Sequence, residues 1–212
     1  MIRALILDLD NTIYPVSSVA DELFKPFYDF LDQHAQEIGE DNMPEIKKLL
    51  MKKAWQKIAD QYQFSKQLLD EGSGILRELT CDFLMQTFDD YTYVKELNAD
   101  KFLVTMGFTK MQESKVRMLN LENDFKEVFI NDPEKTEDTK KEVFESILKK
   151  YGYKPEEVLI IGDDPDSEIK AGQDLGMPTV LYDVNNEYAS AKATHHINNY
   201  TELESIVNGY KD

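Results

Sequence analysis

Apolar residues fall into short, unbroken blocks separated by stretches of mixed pattern. IRALILD at 2–8 is a continuous apolar run of strand length that ends in an acid. Runs of the same kind recur at 101–106 (KFLVTM), 127–131 (EVFIN), 157–161 (EVLII) and 178–182 (PTVLY). Unbroken rather than alternating apolar character points to strands buried on both faces, as in a parallel sheet. Between the last four runs, apolar residues recur at helical spacing in KMQESKVRMLNL from 110, TEDTKKEVFESILKKYG from 136 and DSEIKAGQDLG from 166. Thr136 is the expected N-cap of the second helix and Gly152 its stop. Strand and helix in alternation give an α/β fold, a parallel sheet with helices on both faces.

The segment 14–98 separates the first strand from the second and reads as helical. VADELFKPFYDFLDQHAQEI, PEIKKLLMKKAWQKIADQY and LTCDFLMQTFDDYTYVKEL place apolar residues three and four apart. The expectation is an all-helical domain at 14–98, inserted into a core domain made of 1–13 and 99–212. The aromatic residues Phe24, Phe27, Tyr28, Phe30, Phe83, Phe88 and Tyr91 are expected to form the insert's own core. Lys47, Lys48, Lys52 and Lys53 are expected on a solvated helix face. HHINNYTELESIVNGY, from 195, reads as a last short strand and a closing helix, with His195 and His196 in structural or surface roles.

Composition narrows the function. The chain has 212 residues and a net charge of −17, from 24 Lys+Arg against 41 Asp+Glu. So acidic a chain argues against a nucleic-acid partner, which needs basic patches, and against anionic membranes. The single cysteine, Cys81, excludes an intramolecular disulfide and fits a reducing, cytoplasmic location. Cys81 lies in a helical pattern and is read as a buried thiol. No apolar run approaches the length of a membrane span. Nothing in the sequence fixes the oligomeric state.

In open parallel sheets, ligands bind beyond the carboxyl ends of the strands. The first strand ends in Asp8, followed by Asp10 and Thr12. The second ends in Thr105, then Met106 and Gly107. The third runs into Asn131 and Asp132, with Lys135 beyond. The fourth ends in Gly162, Asp163 and Asp164, with Asp166 and Glu168 following. Carboxylates gathered at one edge stay ionised together only if paired, and Mg²⁺ takes such oxygen ligands. The Thr105 hydroxyl and nearby amides suit phosphate oxygens, a lysine can offset charge, and an aspartate can act as a covalent nucleophile.

DLDNT at 8–12, the strand-end Thr105, a downstream lysine and GDDPDSE at 162–168 together resemble the four motifs of the haloacid dehalogenase-like (HAD) hydrolase superfamily. Their order spans essentially the whole chain. The resemblance implies a Rossmann-like core with a helical cap in the first insertion position. It implies Asp8 as nucleophile and Asp10 as the acid and base that serves leaving group and water. Asp8, the Asp10 backbone carbonyl and Asp163 would ligate Mg²⁺, and Thr105 would bind the phosphoryl oxygens, with Met106 and Gly107 beside it. Thr12, Asp164 and Glu168 would support the site from behind. The second aspartate favours phosphate-ester hydrolysis over dehalogenation.

Three positions depart from the family pattern. Glu168 stands where an aspartate is usual, and a longer carboxylate can support the metal through water or by anchoring the lysine, with Asp164 as a rival. Met106 stands where a polar residue is common. No Lys-Pro dipeptide precedes the third helix, so Lys135, just before Thr136, is the expected site lysine, with Lys140 and Lys141 as alternatives. The expected function is a Mg²⁺-dependent phosphatase of a small phosphorylated metabolite. A nucleoside monophosphate is one candidate, because DLDNTIYP is similar to the start of pyrimidine 5′-nucleotidase-like members. Alternatives are a phosphomutase or phosphotransferase on the same site, or a catalytically silent phosphometabolite-binding protein. A receiver-type signalling domain also gathers acids, Thr and Lys at a sheet edge, but it has no helical insert of this size. The cap is expected to hinge near 14–16 and 98–101, closing over the site to exclude water.

Overall fold

A computed structural model describes residues 1–210. Six parallel strands form one sheet: β1 (Ala4–Leu7), β2 (Asp100–Met106), β3 (Glu127–Asn131), β4 (Val158–Gly162), β5 (Thr179–Tyr182) and β6 (His195–Ile197). Their order is β3-β2-β1-β4-β5-β6. β1 is therefore central, and the connections leave it in opposite directions. Leu7 pairs in register with Leu103 on one side and Ile161 on the other. The residue after it, Asp8, donates its backbone N–H to the Ile161 carbonyl at 3.0 Å. Asp8 thus emerges at the switch point of the sheet, between the ends of β2 and β4, where such folds bind ligands.

The unbroken apolar runs are buried on both faces. Ala4 and Ile6 of β1 join Phe102, Val104, Val158 and Ile160 in one cluster, covered by Phe144 and Ile147 of α9 (Lys140–Tyr151). Leu5 and Leu7 face the opposite way, into a larger cluster that continues without a break into residues of the insert, among them Phe27, Trp55, Ile58 and Leu68. α8 (Thr109–Met118) covers this second face through Met111 and Val116.

Between β1 and β2 the chain forms α1 (Ala20–Leu23), α2 (Lys25–Gln33), α3 (Ala35–Ile38), α4 (Met43–Leu49), α5 (Trp55–Gln61), α6 (Lys66–Glu78) and α7 (Tyr91–Glu96). The helical reading of 79–90 is corrected: this stretch is irregular. Leu79 leaves α6 in an extended conformation, and tertiary hydrogen bonds replace helical ones. The Cys81 N–H donates to Ser114 Oγ at 2.7 Å, and the Phe88 N–H donates to the Ile13 carbonyl at 2.9 Å. Cys81 is fully buried there. Phe88 and Tyr91 also do not build a core private to the insert. Phe88 meets Tyr182 edge-on, with ring centroids 5.3 Å apart, and the Tyr91 hydroxyl donates to Asp124 at 3.3 Å. Phe27 and Phe30 do pack within the insert, Phe27 against Trp55 at 5.0 Å.

After β6 the chain closes with a helix at Leu203–Asn208. His195 lies on that outer strand, with Nε2 3.0 Å from the Tyr210 hydroxyl. His196 is exposed. No helix among the described residues is long and apolar enough to cross a membrane.

Candidate active site

The strand ends bring together three carboxylates and one ammonium group. Asp8, Asp163 and Glu168 each offer an oxygen within 4.8 Å of the others. Lys140 Nζ donates to Asp8 Oδ1 at 2.6 Å and to Glu168 Oε2 at 2.7 Å. All of these lie at the carboxyl edge of β1 and β4, with Glu168 on a π-helical turn at Pro165–Ile169. The second oxygen of Glu168 accepts the Asp164 N–H at 2.8 Å. Glu168 thus braces the turn while anchoring the lysine.

That geometry explains the glycine closing β4. A Cβ on Gly162 would lie 2.1 to 2.5 Å from Cγ, Cδ and Oε1 of Glu168. Only a residue without a side chain lets the Glu168 carboxylate lie against the strand end. Asp164, the rival support, turns away and accepts the Asp166 N–H at 2.9 Å, which caps the turn.

The lysine that the structure brings to Asp8 is Lys140, not Lys135. The Lys135 side chain is 66% exposed; its Nζ donates to Thr109 Oγ1 at 2.7 Å and lies 3.7 Å from Asp132. The displaced helix start explains the difference. Asp132 accepts N–H bonds from Thr109 and Glu134, and the Asn131 amide donates to the Asp138 carbonyl, so 131–138 forms a tied loop. The N-cap is Thr139, in a capping box with Glu142, and not Thr136. Lys140 is then the first helical residue. It shares the inward face with Phe144 and Ile147, at i+4 and i+7, and its side chain is only 7% exposed. Gly152 ends α9 at φ 69°, as expected.

Asp10 belongs to a separate cluster. Its Oδ1 accepts from Lys115 Nζ at 2.7 Å and from the Tyr14 hydroxyl, and its Oδ2 accepts from Gln112 Nε2 at 2.9 Å. The same Gln112 nitrogen lies 2.6 Å from Thr105 Oγ1 and 3.3 Å from the Met106 carbonyl. One amide therefore ties the end of β2 to the DxD loop. Gly107 follows at φ +150°, where a Cβ would press to 3.2 Å from Gln112. Met106 is 39% exposed and its side chain takes no part in this network. Thr12 is buried behind the loop, and its carbonyl accepts from the Tyr200 hydroxyl at 2.8 Å.

Sequence reading gave Gln112 and Lys115 no role and placed Tyr14 only at an expected hinge. Gln112 and Lys115 are buried beside Met111 and Val116 on the inward face of α8. A polar pair within an apolar helix face was the available signal. The same signal marks Lys140 in α9.

Charge separates the two aspartates. Burial pushes Asp8 up to about 7, with Glu168 and Asp10 adding to the rise and Lys140 opposing it. Burial, reinforced by Glu168, Asp8 and Asp164 and opposed by Lys140, pushes Asp163 well above the ordinary range. Burial works on Asp10 too, but Lys115, Tyr14 and Gln112 outweigh it and hold its carboxyl below the usual value. Asp8 and Glu168 hold the Lys140 ammonium, although its burial acts the other way. The first cluster is left with more acid than base: three carboxylates against one lysine. A divalent cation with a preference for oxygen ligands fits this deficit, whereas a buried apolar pocket or a soft-ligand site would not.

A family model described as haloacid dehalogenase-like hydrolase matches residues 2–176. The chain belongs to this family of hydrolases. It is 24% identical over 194 residues to a glyceraldehyde 3-phosphate phosphatase of Pyrococcus furiosus, covering 85% of this chain and 80% of that one. It is 26% identical over 116 residues to the pyrimidine 5′-nucleotidase PynA of Streptococcus pneumoniae, covering 54% of this chain and 45% of that one. The fold matches YfnB of Bacillus subtilis, solved bound to magnesium, with a TM-score of 0.65 at 20% identity, covering 98% of this chain and 99% of that one.

Two outcomes follow from this geometry. Gly162→Ala forces Glu168 off the strand end and should destabilise the fold by about 1–3 kcal/mol, read by chemical denaturation. The second concerns pH. Between its ordinary 3.8 and about 7, folded Asp8 holds a proton that the unfolded chain has released. Its contribution to stability therefore falls as pH rises through that window. A cation must displace that proton, so the Mg²⁺-induced rise in Tm should be larger at about pH 8 than at about pH 5. An equal rise at both would count against cation binding at Asp8.

Proposed function

We propose that the protein is a Mg²⁺-dependent phosphatase of small phosphorylated metabolites, working through a phosphoaspartate on Asp8. The observation that carries this reading is the buried Asp8–Asp163–Glu168 cluster, with Lys140 bonded to Asp8. Asp8, Asp163 and the Asp10 backbone carbonyl would hold the cation, which supplies charge neutralisation and orients the phosphoryl group. Glu168 anchors Lys140, and Lys140 aligns the Asp8 carboxylate and offsets charge on the transferring group.

In the first half-reaction, Asp8 Oδ attacks phosphorus and the ester oxygen leaves with a proton. Asp10 is the donor. A phosphoryl dianion beside it raises its proton affinity, against the hold of Lys115 and Tyr14. In the second half-reaction, the ionised Asp10 takes a proton from the water that hydrolyses the phosphoaspartate. The Thr105 hydroxyl, presented by β2 and tied to Gln112, holds a phosphoryl oxygen. The irregular lysine position and Met106 are the features that favour a silent binding protein. Lys140 on Asp8 weakens that alternative.

Activity is tested with para-nitrophenyl phosphate and Mg²⁺, scoring inorganic phosphate so that hydrolysis is distinguished from transfer. Asp8→Asn should abolish turnover, and equal turnover by both proteins would refute the mechanism. The lysines are separated in the same assay. Lys140→Met should lower kcat by about 100-fold or more, whereas Lys135→Met should stay within about threefold of the parent.

A further inference from the structure

One turn of the insert meets the residue that follows Asp10. Residues 50–54 connect α4 to α5, and the Asn11 side-chain amide donates to the Met51 carbonyl at 3.0 Å. Asn11 directly follows Asp10. The next residue of the turn, Lys52, reaches across to the loop after β5. Its Nζ pairs with the Glu187 carboxylate and lies 5.7 Å from the centroid of the Tyr188 ring. The partner loop is itself fixed, because the Asp183 carboxylate accepts the Glu187 N–H at 2.9 Å and the Tyr188 N–H at 2.7 Å. Lys52 is therefore a cation of the insert pinned to the loop after β5, not a freely solvated one.

Its surroundings are charged on both sides. Glu187 and Asp163 favour the ammonium form of Lys52, although its partial burial acts the other way. Lys48 acts with Lys52 on Glu187, and Lys57 acts on Asp164. A chain of net charge −17 repels anionic substrates at long range. These insert lysines put positive charge against the acidic end of the sheet. The Lys52 side chain is still 32% exposed, and an ion pair that open contributes little, so another carboxylate can replace Glu187 at small cost.

We propose that Lys52 is a specificity-determining residue that takes a carboxylate of the substrate in place of Glu187. The substrates selected are then phosphomonoesters of short carboxylic acids, with the phosphoryl group at Asp8 and the carboxylate toward the insert. This rests on the phosphatase reading above and adds the substrate class to it.

The test uses 3-phosphoglycerate and glyceraldehyde 3-phosphate, which differ in a carboxylate against an aldehyde. The readout is the ratio of their kcat/KM values within one protein preparation, which does not depend on the folded fraction. Lys52→Met should lower that ratio by about tenfold, the loss of one charge-assisted contact. Glu187→Gln, which frees Lys52, should raise it. A ratio unmoved in both variants overturns the inference while leaving the phosphatase reading intact. If the parent releases phosphate from no monoester, the phosphatase reading fails instead. Calorimetric binding of 3-phosphoglycerate to Asp8→Asn, with and without Lys52→Met, then decides the inference. Equal affinities would reject it, and a weaker Lys52→Met complex would support it.

Discussion

The Lys140 ammonium, buried between Asp8 and Glu168, is the interaction on which the rest of the site depends. Two carboxylates at hydrogen-bond distance from one lysine hold the end of β1, the turn after β4 and the start of α9 in one arrangement. Removing a charge from such a cluster leaves its partners buried without compensation, which is far more costly than losing a surface pair. The glycine at the end of β4, the capping box at Thr139 and the π-helical turn all serve to put these three side chains in contact.

The second constraint is an imbalance. Asp163 adds a third carboxylate to the first cluster, in which, among the described residues, Lys140 is the paired cation. Asp10, two residues from Asp8, has its own buried lysine in Lys115. Neighbouring aspartates therefore have opposite proton affinities: Asp8 is raised by burial among acids and Asp10 is lowered by its donors. The family resemblance implies an Asp8 kept ionised by a cation and an Asp10 that trades protons. The order is set by which donors reach each carboxylate. A bound cation changes it, because an ion is the largest charge in such a site.

The fold places both clusters at the same edge because β1 sits at the centre of the sheet and its neighbours run to either side. The insert leaves from the DxD loop itself, and Asn11 ties the turn at Met51 back to that loop. The insert and the DxD loop are therefore joined through adjacent residues. The continuous hydrophobic cluster running from Leu5 and Leu7 into the insert makes the two parts pack as neighbours.

Local pattern alone determined the parallel sheet, the helical character of most of 14–98, and the strand-end positions of Asp8, Asp10, Thr105 and Asp163. Burial on both faces imposes unbroken apolar runs, and strand termini are short-range features. The face that buries Lys140 was also legible, through Phe144 and Ile147 one and two turns on, although the choice of Thr136 as N-cap obscured it. The tertiary structure decided four other things. Residues 79–90 gave up a helical pattern because their backbone groups found distant partners at Ser114 and Ile13. Lys115 and Gln112 became partners of Asp10 across a sequence separation of about a hundred residues. Lys52 left a solvated face for Glu187, and Glu168 rather than Asp164 joined the carboxylate cluster. Periodicity reports which side of an element is buried. Which charge meets which depends on how the elements are stacked, and no short-range pattern carries that.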